Sequence, residues 1–146
     1  MKEHSSKPRR LTVLGATGSI GRSTLDVVRH LGGQGAFEIV ALTGQNNVEA
    51  LARDAIAFNA GFVATAHPDR HSELRRLLSG SGIACGAGPE ALIEAAEREA
   101  DVVMAAIVGV AGLAPTLSAA RRGADIALAN KECLVSADLL LEQRAG

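Results

Sequence analysis

Three glycines near the start of the chain, Gly15, Gly18 and Gly21, recur at every third residue in the segment GATGSIG. The first would permit a tight turn out of a strand, and the second would let a pyrophosphate approach the backbone. The third would let a helix pack closely on that strand, with its positive end facing the phosphate charge. The spacing therefore predicts a dinucleotide site. A tight turn that uses glycine only for packing, with Ser19 as an ordinary N-cap, is the alternative.

A second polar segment, Gln45, Asn46 and Asn47, follows the next apolar run. NAD sites usually place an acid about 20 residues after the glycine loop, where it holds the ribose 2′-hydroxyl. Residues 41–47 contain no acid, so a 2′-phosphate would meet no like charge there. The three amides and the hydroxyl of Thr43 could hydrogen-bond such a phosphate. The pattern favours NADP over NAD. Asn46 with Glu49 three residues later also fits a helix N-cap with its capping-box partner, which alone would explain that residue.

A third polar group, Asn130, Lys131 and Glu132, stands where a strand ends and a helix is expected to begin. Asn130 is a good N-cap. Lys131 in the first helical turn is unfavourable, because that end of the helix dipole is already positive. A bound anion would remove the conflict. Lys131 is therefore either a ligand for a phosphate or substrate, or a solvated lysine.

Strands and helices alternate along the chain and must position these residues. The alternation predicts a Rossmann-like, doubly wound α/β fold, with a mostly parallel sheet and helices on both faces. Because ligands of such sheets lie beyond the carboxyl ends of the strands, residues 105–107 would border the cofactor. One apolar stripe on the first helix comprises Ile20, Thr24, Val27, Val28 and Leu31. The predicted strands are 11–14, 37–42, 62–65, 83–85, 101–107 and 125–129, and the predicted helices are 20–31, 48–56, 68–78, 89–98, 113–122 and 131–144.

Composition and charge exclude several classes of function. A chain of 146 residues with 47% hydrophobic and 21% charged residues is one ordinary folded domain, not an intrinsically disordered chain. A net charge of -1, with three Phe and neither Trp nor Tyr, argues against a nucleic-acid partner. No apolar run reaches the roughly 18 residues of a membrane span, so no membrane partner is expected. Residues 1–10 have no apolar core and predict a disordered tail. The two cysteines, Cys85 and Cys133, lie far apart in the sequence and predict no disulfide framework, which favours the reducing cytoplasm.

Four short segments occur together and in order over nearly the whole chain after the tail. They are GATGSIG at 15–21, STLDVV at 23–28, VMAAIVG at 103–109 and LANKE at 128–132. Together they resemble the 1-deoxy-D-xylulose 5-phosphate reductoisomerase family. The resemblance implies NADPH-dependent isomerisation and reduction of 1-deoxy-D-xylulose 5-phosphate to 2-C-methyl-D-erythritol 4-phosphate, in non-mevalonate isoprenoid synthesis. It also implies a divalent metal, Mg²⁺ or Mn²⁺, that holds the substrate oxygens.

The resemblance implies a role for each polar group of the chain. The residues that would contact the cofactor phosphates and ribose are Thr17, Gly18, Ser19 and Ile20. Those that would line its 2′-phosphate end are Gln45, Asn46 and Asn47. At the nicotinamide half, Asn130 and Glu132 would bind the cofactor and Lys131 the phosphorylated sugar substrate. Relatives commonly have lysine in place of Asn46 and usually serine in place of Cys133.

The family's metal-binding acids and lid belong to later segments than these. The resemblance therefore implies that residues 11–146 are the NADPH-binding domain, truncated before the metal-binding and catalytic domain. This chain would then hold no catalytic and no metal-binding residue and would be inactive alone, whereas the full-length enzyme would be a homodimer. Two alternatives stay open. One is another NADP-dependent oxidoreductase with a GATGxxG loop, of the semialdehyde dehydrogenase type, which needs a suitably placed catalytic cysteine. The other is a non-catalytic NADP-binding module, which would not need Lys131.

Overall fold

The computed structural model of the chain describes residues 8–107 and 113–128. Within these ranges six strands form one sheet, in the order β4-β3-β2-β1-β5-β6, and every neighbouring pair is parallel. The strands are β1 Arg9–Leu14, β2 Phe37–Gly44, β3 Phe62–Thr65, β4 Ala84–Ala87, β5 Val102–Ala105 and β6 Asp125–Leu128. The chain runs outward from β1 to β4 and then returns to the other side of β1, so the strand order reverses between β1 and β5. Such a reversal leaves a crevice at the carboxyl edge of the sheet.

Five helices cover the two faces of the sheet in the described ranges. They are α1 Ser19–His30, α2 Val48–Phe58, α3 His71–Leu77, α4 Pro89–Glu97 and α5 Leu113–Arg122. Val13 of β1 belongs to the buried cluster that contains residues of α1, α2 and α3. Its neighbour Leu14 belongs to the other cluster, with residues of α4 and α5. Alternate strand residues thus point into two cores, as a doubly wound sheet requires, and the predicted Rossmann-like α/β class is confirmed.

The strand and helix limits differ from prediction in a few places. β1 begins at Arg9 rather than at residue 11, because Arg9 and Arg10 pair with Phe37 and Glu38 of β2. These two residues of the predicted tail are therefore part of the sheet. β2 extends to Gly44, and β5 is shorter than predicted. The predicted helix 68–78 is a 3-10 turn, Pro68–Arg70, followed by α3. The predicted helix 131–144 lies outside the described residues.

The predicted core stripe of α1 is confirmed only at Val28, and none of its other members is buried. Gly21, Leu25 and Val28 face the core, whereas Val27 and Leu31 are 54% and 60% exposed. The cause is Gly21, whose lack of a side chain lets the helix touch the turn after β1. Once Gly21 faces inward, positions four and seven residues later must face inward too. None of the helices in 8–107 and 113–128 is long and apolar enough to cross a membrane.

Candidate functional site

The turn after β1 is held between the ends of two neighbouring strands. Gly15 has a φ of +86°, and a Cβ there would lie 2.9 Å from the backbone carbonyl of Ala106, just after β5. On the other side, the Gly15 N–H donates to Thr43 Oγ1 at 2.8 Å, and the Ala16 N–H donates to the Thr43 carbonyl at 2.7 Å. Thr43 is fully buried. Its hydroxyl oxygen thus holds the turn, and the expected hydrogen bond from this hydroxyl to a 2′-phosphate stays a prediction.

Gly21 brings α1 against this turn. A Cβ at Gly21 would collide with the Gly15 carbonyl oxygen and would lie 2.6 Å from Ala16 Cα. Backbone atoms cannot rotate out of the way as a side chain can, so only glycine fits here. This is the close helix–strand packing that the glycine spacing predicted.

Gly18 is glycine for neither of these reasons. It is the N-cap of α1, with a φ of -76°, which any residue adopts. Within the described part of the chain, a Cβ at Gly18 would meet only the Gly15 carbonyl oxygen, at an ordinary 3.7 Å. Among the residues that the structure describes, no side chain caps the start of α1, and its first turn contains no acid. The interpretation of Ser19 as an ordinary N-cap is therefore wrong. The start of α1 presents its positive end to an anion that approaches Gly18.

A cleft of about 320 Å³ opens beside Gly18 at the carboxyl edge of the sheet. Its lining is mostly apolar, and it includes the hydroxyl and amide side chains of a few polar residues. It is lined by Gly15, Thr17, Gly18, Thr43, Gly44, Gln45, Asn46, Asn47, Ala66, Leu92, Ala106 and Ile107. None of these lining residues is charged, so a phosphate would meet no like charge. A concave, largely apolar pocket with a few polar groups at its edge is typical of a cofactor site.

The structure brings together most of the predicted cofactor residues that it describes. Those that line the cleft are Thr17, Gly18, Gln45, Asn46 and Asn47. Ser19 and Ile20 begin α1 beside it but do not line it, and Ile20 is exposed. The other three, with predicted roles in cofactor and substrate binding, are Asn130, Lys131 and Glu132. They lie outside the described residues, so these roles stay predictions.

Two lining residues, Ala66 and Leu92, were not anticipated. Ala66 directly follows β3, so the rule that ligands lie beyond the carboxyl ends of strands could have found it. Leu92 belongs to α4, and only the packing of α4 across the sheet brings it to the cleft. Residues 105–107 were expected from the same rule, and of these Ala106 and Ile107 line the cleft whereas Ala105 does not.

The turn after β2 is shaped by polar side chains. Asn47, rather than Asn46, is the N-cap of α2, and its side-chain oxygen accepts from the Ala50 N–H at 3.1 Å. The predicted capping pair of Asn46 and Glu49 is therefore wrong by one residue. Because the Val48 N–H donates to the Asn46 carbonyl at 2.8 Å, the chain turns at Asn46 before the helix begins. The Asn46 side chain is exposed and is not part of the cap.

Neighbouring residues hold this second turn in place. Thr65, at the end of β3, donates its hydroxyl to the Gln45 carbonyl at 2.6 Å. Gly44 lets Thr17 approach, since a Cβ at Gly44 would lie 3.0 Å from Thr17 Oγ1. The two turns therefore touch each other across the cleft.

An ion pair joins the two helices that follow these turns. Arg22 of α1 lies 3.6 Å from the carboxylate of Asp54 in α2. Burial raises the pKa of Asp54 above its ordinary value of 3.8, and Arg22 lowers it by less. Asp54 Oδ2 accepts no hydrogen bond from any described residue. The pair ties α1 to α2 behind the cleft and does not line it.

Cys85 does not supply the reactive thiol that the semialdehyde dehydrogenase alternative needs. It lies in β4, three strands away from β1. Burial raises the pKa of its thiol, which Arg75 lowers by less, so little thiolate forms at neutral pH. Cys133 lies outside the described residues. No group of three or more His, Cys, Asp or Glu side chains that could hold a metal occurs within 8–107 and 113–128.

Known proteins resemble the chain over nearly its whole length. The family model described as 1-deoxy-D-xylulose 5-phosphate reductoisomerase matches residues 11–138. A 1-deoxy-D-xylulose 5-phosphate reductoisomerase of Rhizobium etli is 61% identical over 143 residues, which are 97% of this chain and 36% of that protein. The solved reductoisomerase from Zymomonas mobilis in complex with NADPH is 48% identical, with a TM-score of 0.82 over 92% of this chain and 35% of that one.

A further solved structure, of DOX-P reductoisomerase in complex with NADPH, fosmidomycin and magnesium, is 44% identical. Its TM-score is 0.78 over 87% of this chain and 31% of that one. The chain spans about a third of the length of the curated relatives it matches. The resemblance predicted from four short segments is thus confirmed, and the chain belongs to the 1-deoxy-D-xylulose 5-phosphate reductoisomerase family.

Proposed function

We propose that residues 11–146 form the NADPH-binding domain of an enzyme that isomerises and reduces 1-deoxy-D-xylulose 5-phosphate to 2-C-methyl-D-erythritol 4-phosphate in isoprenoid synthesis. The observation that carries the proposal is Gly18. Neither its φ nor the packing of described residues requires glycine there, and it stands at the uncapped start of α1 beside the cleft. A ligand that must approach the backbone is the physical reason left. The relative from Zymomonas mobilis, which has the same fold, is solved with NADPH.

The residues of the cleft fit this cofactor. Its pyrophosphate would lie against Gly18 and Thr17, where the positive end of α1 offsets the negative charge. Its 2′-phosphate end would meet the amides of Gln45, Asn46 and Asn47. Ala106 and Ile107 would exclude water from the opposite end of the cleft. When bound, NADPH supplies the hydride for the reduction, and the protein's part is to bind and orient it.

The substrate and the metal are proposed to be held by residues other than those described. A related structure contains magnesium and fosmidomycin, whereas the described residues offer no group of metal ligands. Among the remaining residues, Lys131 is proposed to bind the phosphorylated sugar, with Asn130 and Glu132 beside the nicotinamide. We also propose that residues 1–146 alone do not turn over the substrate. The complete enzyme is proposed to be a homodimer that acts in the cytoplasm. The other NADP-dependent oxidoreductases weighed above are not favoured.

The direct test is to titrate the protein with NADPH and with NADH by calorimetry. We expect NADPH to bind at least about tenfold more tightly, because the amides of Gln45, Asn46 and Asn47 can donate hydrogen bonds to the 2′-phosphate, which NADH lacks. Equal affinities would contradict the NADP preference, and no binding of either would contradict the proposal as a whole. In parallel, NADPH oxidation with 1-deoxy-D-xylulose 5-phosphate and Mn²⁺ should be undetectable for this chain. The Rhizobium etli relative serves as the positive control, and turnover by this chain would disprove the proposed inactivity.

A further inference from the structure

A second cavity, of about 310 Å³, adjoins the cleft at the end of β2. Asn46 and Asn47 line both cavities. A chemical group that extends from the cleft past Asn46 would therefore enter the second cavity. Its remaining walls come from the start of α2, the 3-10 turn after β3 and the start of α3. They are Val48, Glu49, Arg70 and Glu73.

Arg70 is the only basic residue among the described residues that line either cavity. It ends the 3-10 turn Pro68–Arg70, which follows β3, the neighbour of β2 in the sheet. Its backbone N–H donates to the His67 carbonyl at 3.0 Å, and Pro68 restricts the backbone of the same turn. Arg70 is thereby fixed at the same edge of the sheet as Asn46 and Asn47.

The Arg70 side chain is held by one contact and keeps donors for another. Its Nη1 atom donates to Glu73 Oε1 at 2.6 Å, which uses one of the five N–H donors of a guanidinium. The side chain is 40% exposed, so a ligand can reach it. A guanidinium in this position suits a phosphate, whose oxygens accept two parallel N–H bonds.

The charges around Arg70 permit an anion. Glu73 lies between Arg70 and Arg76, whose Nη2 is 4.0 Å from it, so two guanidinium groups share its charge. Glu49 is the group that opposes an anion. It is exposed in the first turn of α2 and can turn towards the solvent. The amides of Asn46 and Asn47 complete a polar wall that contains donors.

We propose that Arg70 binds the 2′-phosphate of NADPH in this second cavity and thereby determines the preference for NADPH over NADH. This inference rests on the proposed function, because it takes the cleft as the site of the dinucleotide. It adds a charged group to a site whose predicted 2′-phosphate ligands were uncharged amides. The sequence predicts only a helix over 68–78, and its spacing does not single out Arg70.

The test compares three proteins: the unaltered chain, Arg70→Gln and Arg76→Gln. Arg76 contacts the same glutamate but does not line the cavity, so it is the matched control. We expect Arg70→Gln to weaken NADPH binding by at least about tenfold and to change NADH binding by less than about twofold. Arg76→Gln removes only a partner of Glu73, so it should weaken NADPH binding by less than about threefold and leave NADH binding unaltered. An unaltered ratio of the two affinities in Arg70→Gln would overturn the inference while the proposed function stands. An unaltered chain that binds neither nucleotide would overturn both.

Three further measurements test whether Arg70 acts on the 2′-phosphate itself. Arg70→Lys keeps the charge and should recover part of the NADPH affinity lost in Arg70→Gln, whereas a purely structural role of the planar guanidinium predicts no recovery. Glu49→Gln removes the opposing charge and should tighten NADPH but not NADH. The probes 2′,5′-ADP and 5′-ADP report on the 2′-phosphate alone. The unaltered chain should prefer 2′,5′-ADP, and Arg70→Gln should lose that preference. Retention of the preference would overturn the inference.

Discussion

The turns after β1 and β2 lie side by side at the carboxyl edge of the sheet, but they keep their shapes by different means. In the first, backbone packs on backbone, because Gly15 rests on the carbonyl of Ala106 and Gly21 rests on Gly15. In the second, side chains hold the backbone, as the Asn47 cap does for α2. Contact between backbone atoms tolerates almost no added volume, whereas a lost side-chain hydrogen bond has a small, graded cost. Substitutions that add volume to the first turn should therefore cause large losses of stability or binding, whereas substitutions in the second turn should have small effects.

The largest effect is expected from Gly21→Ala. Its Cβ would collide with the Gly15 carbonyl oxygen, and neither backbone segment can give way without separating α1 from β1. We expect a loss of about 3 kcal/mol or more of unfolding free energy. That loss corresponds to a melting temperature lower by about 10 °C. Thermal unfolding followed by circular dichroism measures it. Gly35→Ala is the control, because its Cβ would meet nothing within 4 Å. A Gly21→Ala protein that melts with the unaltered chain would refute the backbone-packing account.

Gly18→Ala should separate binding from stability within the first turn. The new Cβ makes only an ordinary contact at 3.7 Å, so the melting temperature should not change. NADPH affinity should fall by at least about tenfold, because the methyl group keeps the pyrophosphate from the backbone. Calorimetry on Gly18→Ala and Gly35→Ala tests both expectations. Undiminished affinity would mean that no phosphate lies against Gly18.

The second turn should respond mildly to the loss of its cap. Asn47→Ala removes the acceptor for the Ala50 N–H and should cost about 1 kcal/mol of unfolding free energy. Asn46→Ala, which removes no cap, should cost less than about 0.5 kcal/mol. Urea denaturation of the two variants gives these differences. If Asn46→Ala were the more destabilising of the two, the helix would be capped at Asn46 as its sequence pattern had suggested.

The smallest effect concerns the ion pair that joins the helices behind the two turns. Because burial raises the pKa of Asp54, the folded protein binds its proton more tightly than the unfolded chain does. The contribution of Asp54 to stability therefore falls as the pH rises from its ordinary pKa of 3.8 through the raised value, and is constant above it. Asp54→Asn removes the free-energy cost of burying a charged carboxylate. The guanidinium of Arg22, which is half exposed, is then solvated by water instead of pairing with Asp54. Urea midpoints at about pH 4 and pH 7 should show Asp54→Asn gaining on the unaltered chain as the pH rises. A relative loss at pH 7 would show that Arg22 outweighs burial.

The strands and helices could be predicted because each is indicated by the pattern of apolar residues within its own segment of the sequence. Apolar runs mark the strands, and the short fourth strand is displaced by one or two residues from its predicted position. The phase of α1 could not be predicted from its apolar residues, since Gly21 decides which side faces the core. The one-residue error at Asn46 has a similar cause, because either asparagine could cap and only the path of the chain selects Asn47.

The residues that line the cleft differ in the same way: some could be predicted from their place after a strand, and others are brought there only by tertiary packing. Thr17, Gly18 and the polar segment after β2 could be found because they follow strands directly. Leu92 could not, because α4 is brought over the sheet by packing that leaves no pattern in the chain. Thr43 was predicted as a ligand of the 2′-phosphate. The hydrogen bond that its hydroxyl oxygen accepts from the Gly15 N–H could not be predicted, because it depends on the pairing of β1 with β2.

The three atoms nearest to a Cβ built at Gly15 all belong to the main chain of Ala106 and Ile107, which directly follow β5. Position 106 also lines the cleft. Larger side chains could therefore be installed there to narrow the nucleotide groove while the support of the glycine loop stays intact. The ligand selectivity of the cleft and the stability of the glycine loop should therefore be separable, which makes residue 106 a suitable position for redesigning which nucleotides the cleft binds.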